Sequence, residues 1–280
     1  MAAKSLSEPN ERERKASIVD AAEPDLSMES VHLLGVRVHL LAADDVLAYI
    51  HRVVRSHSRA IVANVNVLAM NLACDFPWFR DFLRRADIVF FDGAGVKLGA
   101  RMLGHRIPER ITYADWMWQL AESSERNGLT MYFLGARPGV AGMAAARLRE
   151  RFRDLQIVGV HHGYFDKTPG SADNEAVVQE INACRPDILV VGFGMPLQEL
   201  WLQDNWPILD SRVALTGGAV FDYISGQLRR PPRWMSDHAL EWLGRFIIEP
   251  RRLWKRYLIG NPVFFWRVIR ERVRLMLLSQ

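Results

Sequence analysis

The sequence is short of several things, and each shortage narrows what the chain can be. It has two cysteines in 280 residues, Cys74 and Cys184. That is too few for a disulfide framework, so both read as core thiols in a reducing compartment. No stretch approaches ~18 uncharged apolar residues, so no bilayer-crossing helix is expected. Residues 1–30 lack the apolar run of a secretory signal. They are polar, low in aromatics and rich in Glu and Ser, and read as a disordered tail. There is no internal repeat and no Asp-x-Asp motif.

What is present is ordinary for a folded protein. Hydrophobic residues make up 49% and charged residues 24%, which excludes a disordered chain, a collagen-like chain and a coiled-coil rod. The length suits about two domains or one large α/β domain, with room for a sizeable core. The formal charge of +4 is too small to imply a polyanion partner, but it is unevenly spread. Residues 229–280 hold twelve Arg and Lys against four Asp and Glu, a net +8, which leaves −4 for residues 1–228. The same segment carries Trp234, Trp242, Trp254 and Trp266. Trp settles at the lipid headgroup level, and cations are drawn to anionic lipid at ~1 kcal/mol each. We therefore read an anionic membrane surface as the partner of this segment, with plain helical packing and a nucleic-acid patch as alternatives. Nucleic acid is not adopted as a partner.

Short apolar runs alternate with helical stretches from residue 31 onward. Strands are expected at 60–64, 87–91, 130–134, 155–160, 187–191 and 212–215. The runs are continuously apolar, as in strands buried on both faces of a parallel sheet. The fold class expected is α/β, a Rossmann-like, doubly wound, mainly parallel sheet with a helical C-terminal appendage. The domain reading is a tail at 1–30, a catalytic domain at 31–228 and a basic appendage at 229–280. In the appendage, helices are expected at 237–248, 250–259 and 262–278, interrupted at Pro250 and Pro262. Trp116, Met117 and Trp118 read either as a core helix or as a contact in a homo-oligomer.

Open parallel sheets bind ligands beyond the carboxyl ends of their strands. Four such ends stand out: Asn64 and Asn66, Asp92-Gly93, Gly192-Phe-Gly194, and Gly217-Gly218. Glycine corners let backbone N–H groups approach an anion, which suits a nucleotide diphosphate, though such corners also occur as plain tight turns. Asp92 reads equally as a general base in a cleft or as a helix N-cap. Metal-dependent nucleotide-sugar enzymes usually need an Asp-x-Asp pair. Such an activity here would use Arg, Lys and amides, with no metal cofactor. His161-His162 is a poor metal pair, because adjacent strand residues point to opposite faces.

Several blocks then resemble the WecG/TagA/CpsF family of bacterial glycosyltransferases. They are Ala63-Asn-Val-Asn66, Ala86 through Val96, Pro108-Glu-Arg-Ile-Thr112, Val191 through Glu199, Gly217-Gly-Ala-Val-Phe-Asp222, Gly226 through Met235, and Glu241-Trp-Leu243 through Arg252. The resemblance covers roughly 31–260. It implies an inverting, metal-independent glycosyltransferase, peripheral on the inner face of the plasma membrane. It implies a UDP-sugar donor and a polyprenyl-diphosphate-linked acceptor. The family's base aspartate falls on Asp92. Its donor-site residues fall on Asn66, Arg110, Gln198 and Asp222, with Asn64 where Thr is frequent. Arg110 otherwise reads as a surface ion-pair residue, Asp222 as a helix cap and Gln198 as a first-turn residue. Acceptor-diphosphate residues fall on Arg245 and Arg252, with Lys255 in place of an Arg and Arg256 adjacent. Lys keeps the charge but loses the bidentate fork. The donor sugar is read as UDP-N-acetylmannosamine, with UDP-glucose or a UDP-uronic acid as alternatives.

Overall fold

The structure, a computed structural model, describes residues 28–107, 111–229, 235 and 241–278, with only the backbone of Glu241 and Arg252. Arg110 and the Arg252 side chain therefore lie outside the described residues, as do the expected tail at 1–27 and the start of the helix expected at 237–248.

The chain opens with β1 (Ser30–Leu33) and β2 (Val36–His39), an antiparallel hairpin. Its turn, Leu34-Gly35, has φ of 49° and 79°. Two positive φ values at the centre of a two-residue turn match the twist of hairpin strands. Then follow α1 (Ala43–Arg55), β3 (Ala60–Val65), α2 (Val67–Asp75), α3 (Pro77–Arg85), β4 (Ile88–Phe91), α4 (Ala94–Met102) and α5 (Tyr113–Asn127). The second half holds β5 (Thr130–Gly135), α6 (Val140–Arg151), β6 (Gln156–His161), α7 (Ala172–Cys184), β7 (Ile188–Gly192), α8 (Leu197–Asn205), β8 (Val213–Thr216) and α9 (Val220–Ile224).

The strands form one eight-stranded sheet in the order β1-β2-β4-β3-β8-β7-β5-β6, parallel except for the hairpin. Alternate residues feed two cores. Val62, Phe90, Phe133 and Leu215 face α1, α5 and α6, whereas Ala63, Phe91, Leu134 and Ala214 face α2, α3, α7 and α8. Both faces of the central strands are covered, which is why these read as unbroken apolar runs, whereas the edge strand β6 leaves Val158 and Val160 exposed. The chain winds outward through β3 and β4 to one edge and through β5 and β6 to the other. The last strands, β7 and β8, fill the middle. That reversal opens a crevice at the carboxyl ends of β3 and β8.

The C-terminal part comprises α10 (Glu241–Ile248), α11 (Pro250–Trp254), a π-helical turn (Lys255–Gly260) and α12 (Asn261–Leu278). The interruption expected at Pro262 does not occur. Proline is tolerated in a first helical turn because its missing N–H is an orphan there anyway. The helix register widens to π just before it instead. Phe264 and Val268 are fully buried in the same core as Phe91 and Ala100. A Cβ on Gly99 would lie 2.5 Å from the Phe264 ring, so glycine is what lets α12 lie this close to α4. The helix is also tied by polar contacts, including the Leu34 N–H donating to Glu271 Oε2 at 3.0 Å. Trp116 and Met117 are buried core residues of α5.

Candidate active site

The crevice contains a cavity of ≈ 720 Å³, walled on one side by strand ends and on the other by the C-terminal helices. Asp92 lies at the end of β4. Its N–H donates to Val65 O at 2.8 Å, and it forms an isolated parallel bridge with Ile111. The N-cap of α4 is Gly93, with φ of 97°, so Asp92 itself is not the N-cap residue of that helix. Asn64 Nδ2 donates to Asp92 Oδ2 at 3.0 Å. The Thr216 hydroxyl donates to Asn64 Oδ1 at 2.8 Å and accepts from the Asn64 N–H at 3.1 Å. Both residues are buried, so the hydroxyl fixes which end of the Asn64 amide faces the carboxylate. Asp92 is thus a positioned carboxylate facing a cavity, the geometry a general base requires.

Beside it, Tyr113 stacks on Phe90 with centroids 6.1 Å apart, and its buried hydroxyl has no partner among the described residues. Burial, then the Asp92 charge, pushes this phenol far above its ordinary value, so it stays neutral. Asn66 caps α2: its Oδ1 accepts from the Leu68 and Ala69 N–H groups at 3.0 and 3.2 Å, while the residue also lines the cavity.

The glycine corners are organised differently from the sequence expectation. Gln198 is fully buried, and its Oε1 accepts from the Gly194 and Gly218 N–H groups at 3.2 and 3.0 Å. The Gly217 N–H donates to Val191 O at 2.7 Å. These three amides are committed inside the protein, so they are not free to hold an anion. Gln198 lines neither large cavity; it ties the ends of β7 and β8 together. Its Nε2 donates to Glu199 Oε1 at 2.8 Å. Glu199 Oε2 is buried without a partner among the described residues, and burial lifts its carboxyl to about 7.

Arg245, Lys255 and Arg256 line the same cavity as Asp92. Arg245 lies 5.5 Å from the Tyr223 ring centroid, and Lys255 lies 5.5 Å from that of Trp254. Arg256 is near enough to Asp92, Arg245 and Tyr257 to feel their charges, and burial draws its guanidinium below the ordinary value. Of the four acceptor residues expected from sequence, these three are brought into the cavity that Asp92 lines.

A second cavity of ≈ 990 Å³ lies behind the Gly194 and Gly218 corner. Asp222 and Gly192 line this one and not the first. Arg137, Lys167 and the exposed Tyr164 also line it, with three further carboxylates, Asp166, Asp173 and Glu249. Lys167 Nζ lies 4.4 and 4.6 Å from the Phe165 and Phe193 ring centroids. The sequence reading missed Arg137, Lys167, Tyr113 and Thr216. Among the described residues no three His, Cys, Asp or Glu side chains cluster as metal ligands.

The fold defines a class: a Rossmann-like α/β protein with a large cavity lined by strand ends and C-terminal helices. The chain belongs to the Glycosyl transferase WecG/TagA/CpsF family, whose sequence profile matches residues 31–277, and it is a glycosyltransferase. It is similar to the N-acetylglucosaminyldiphosphoundecaprenol N-acetyl-beta-D-mannosaminyltransferase of Bacillus subtilis (strain 168), 27% identical over 213 residues, 76% of this chain and 80% of the relative. A protein of the same name from Bacillus spizizenii is 29% identical over 195 residues, covering 70% and 73% of the two chains. One from Staphylococcus aureus (strain MRSA252) is 24% identical over 218 residues, covering 78% and 83%.

Proposed function

We propose that this glycosyltransferase moves N-acetylmannosamine from its UDP conjugate onto a saccharide carried by a polyprenyl diphosphate, with inversion at the anomeric carbon and without a metal ion. The acceptor hydroxyl attacks the anomeric carbon as Asp92 takes its proton. UDP departs from the opposite face. The nucleotide occupies the second cavity, where Asp222 suits ribose hydroxyls and Arg137 and Lys167 meet phosphate charge. Arg245, Lys255 and Arg256 grip the acceptor diphosphate, joined by Arg252. Cations already in place as charge moves act without reorganising, and losing one such donor typically costs ~3–4 kcal/mol.

The observation that carries this reading is a carboxylate bonded to Asn64 and three cations, Arg245, Lys255 and Arg256, lining one cavity. The printed names of the relatives support the acceptor class and the mannosaminyl group. UDP-glucose remains the alternative donor. A UDP-uronic acid is a further alternative. The test is UDP release with a polyprenyl-diphosphate-linked N-acetylglucosamine acceptor over a panel of UDP-sugars. UDP-N-acetylmannosamine should be turned over fastest, and no turnover with any donor would refute the proposal.

The lipid acceptor also accounts for the outer face of the C-terminal helices. Trp254, Leu258, Trp266 and Leu278 are exposed there, with Arg270 lying 4.9 Å from the Trp266 ring centroid. No helix among the described residues is long and apolar enough to cross a membrane. An aromatic and basic face of this kind sits in the headgroup layer. Peripheral binding at the inner face of the plasma membrane predicts co-sedimentation with anionic vesicles that weakens with salt; equal binding to neutral vesicles would count against it.

A further inference from the structure

The cationic wall stands on a π-helical turn, and one buried asparagine outside that turn holds its end. Asn71 lies on α2, is 8% exposed, and lines the catalytic cavity. Its Nδ2 donates to the Gly260 carbonyl at 2.7 Å, at the seam where the π turn passes into α12. Its Oδ1 and its backbone carbonyl both accept from Arg267 Nη1, each at 3.1 Å. Arg267 is held in turn by the Asp75 carboxylate. The Arg267 donor fixes which end of the Asn71 amide faces Gly260. A turn with the wider i→i+5 spacing is an uncommon device that recurs at functional sites. Here it carries Lys255, Arg256 and Tyr257 into the cavity wall.

We infer that Asn71 is a positioning residue for the acceptor: by tying α2 to Gly260 and Arg267, it sets the π turn so that Arg256 faces the Asp92 cavity. The inference rests on the reading that Arg256 grips the acceptor diphosphate. Asn71 acts through that guanidinium and does not itself touch the diphosphate.

The test uses full-length Asn71→Ala, Arg256→Ala and the double variant, assayed with UDP-N-acetylmannosamine and the polyprenyl-diphosphate-linked acceptor. UDP affinity, read by calorimetry, reports the folded nucleotide site. Asn71→Ala should raise the acceptor KM about fivefold to tenfold, the scale of one lost buried hydrogen bond. Donor KM and UDP affinity should stay within about twofold. The double variant should be no worse than Arg256→Ala alone, because both changes remove one function. If Asn71→Ala does not fold, Asn71→Asp serves, since it still accepts from Arg267 but cannot donate to Gly260; the same acceptor-specific loss is expected. An unchanged acceptor KM in Asn71→Ala beside a raised one in Arg256→Ala overturns the inference alone. Additive losses, or equal losses for donor and acceptor, also overturn it. An unchanged acceptor KM in Arg256→Ala overturns the underlying reading of the wall.

Discussion

The two walls of the catalytic cavity are built by opposite means. The carboxylate wall is made of strand ends. Asn64 and Thr216 are buried, belong to adjacent parallel strands, and bond to each other before Asn64 reaches Asp92. The cationic wall is made of short helices and a π turn, moored by Phe264, Val268, Asn71 and Arg267, with an aromatic outer face left exposed. On the proposed function, the difference matches two tasks. Proton transfer needs a base placed to a fraction of an ångström. A lipid diphosphate arriving from a membrane surface needs an open wall that reaches outward and brings its own charge.

Four changes would break or sharpen that contrast, in order of expected size. Asp92→Asn keeps an acceptor for Asn64 but removes the base, so turnover should fall by about 10²–10⁴; a loss under tenfold in initial-rate assays would remove Asp92 from the role. Phe264→Ala cuts the mooring of the cationic wall into the sheet core and should cost about 3–5 kcal/mol in chemical denaturation. A cost below about 1 kcal/mol would mean that α12 merely rests on the surface.

Glu199 tests the ties behind the carboxylate wall. Its folded carboxyl titrates at about 7 against an ordinary 4.5, so between those values the folded state binds more protons than the unfolded. Stability therefore falls as pH rises through that window and is level above it. The full effect is about 3 kcal/mol. Between pH 5 and pH 8 the wild type should lose that much more stability than Glu199→Gln; parallel profiles would contradict the buried carboxyl. The smallest effect is expected for Tyr113→Phe. Removing a buried hydroxyl that lacks a partner among the described residues should stabilise the protein by about 1 kcal/mol and leave turnover near normal. A marked loss of turnover would give that hydroxyl a part in the reaction.

The sheet was legible because parallel strands covered on both faces announce themselves as apolar runs; the six expected strands fall within a residue or so of those observed. The hairpin was not proposed, although Leu34-Gly35 between the alternating Val31, Leu33, Val36 and Val38 is a readable turn signal. Asp92 could be located but not assigned, because a base and an N-cap both precede glycine; the structure makes Gly93 the N-cap position and puts Asp92 on the cavity lining. Thr216 was illegible for a different reason. Its role depends on β8 lying beside β3, a pairing of residues 152 apart in sequence. Gln198 was found by resemblance, yet its burial beneath two glycine corners follows from tertiary packing that no local pattern encodes.

The most direct test is an acceptor titration of Asp92→Asn and Arg256→Ala side by side, with UDP affinity measured on both. The division between walls predicts that Asp92→Asn stays inactive at every acceptor concentration while still binding UDP. It predicts that Arg256→Ala recovers much of its turnover as acceptor is raised. Recovery of Asp92→Asn at high acceptor, or a loss in Arg256→Ala that no acceptor concentration relieves, would contradict it.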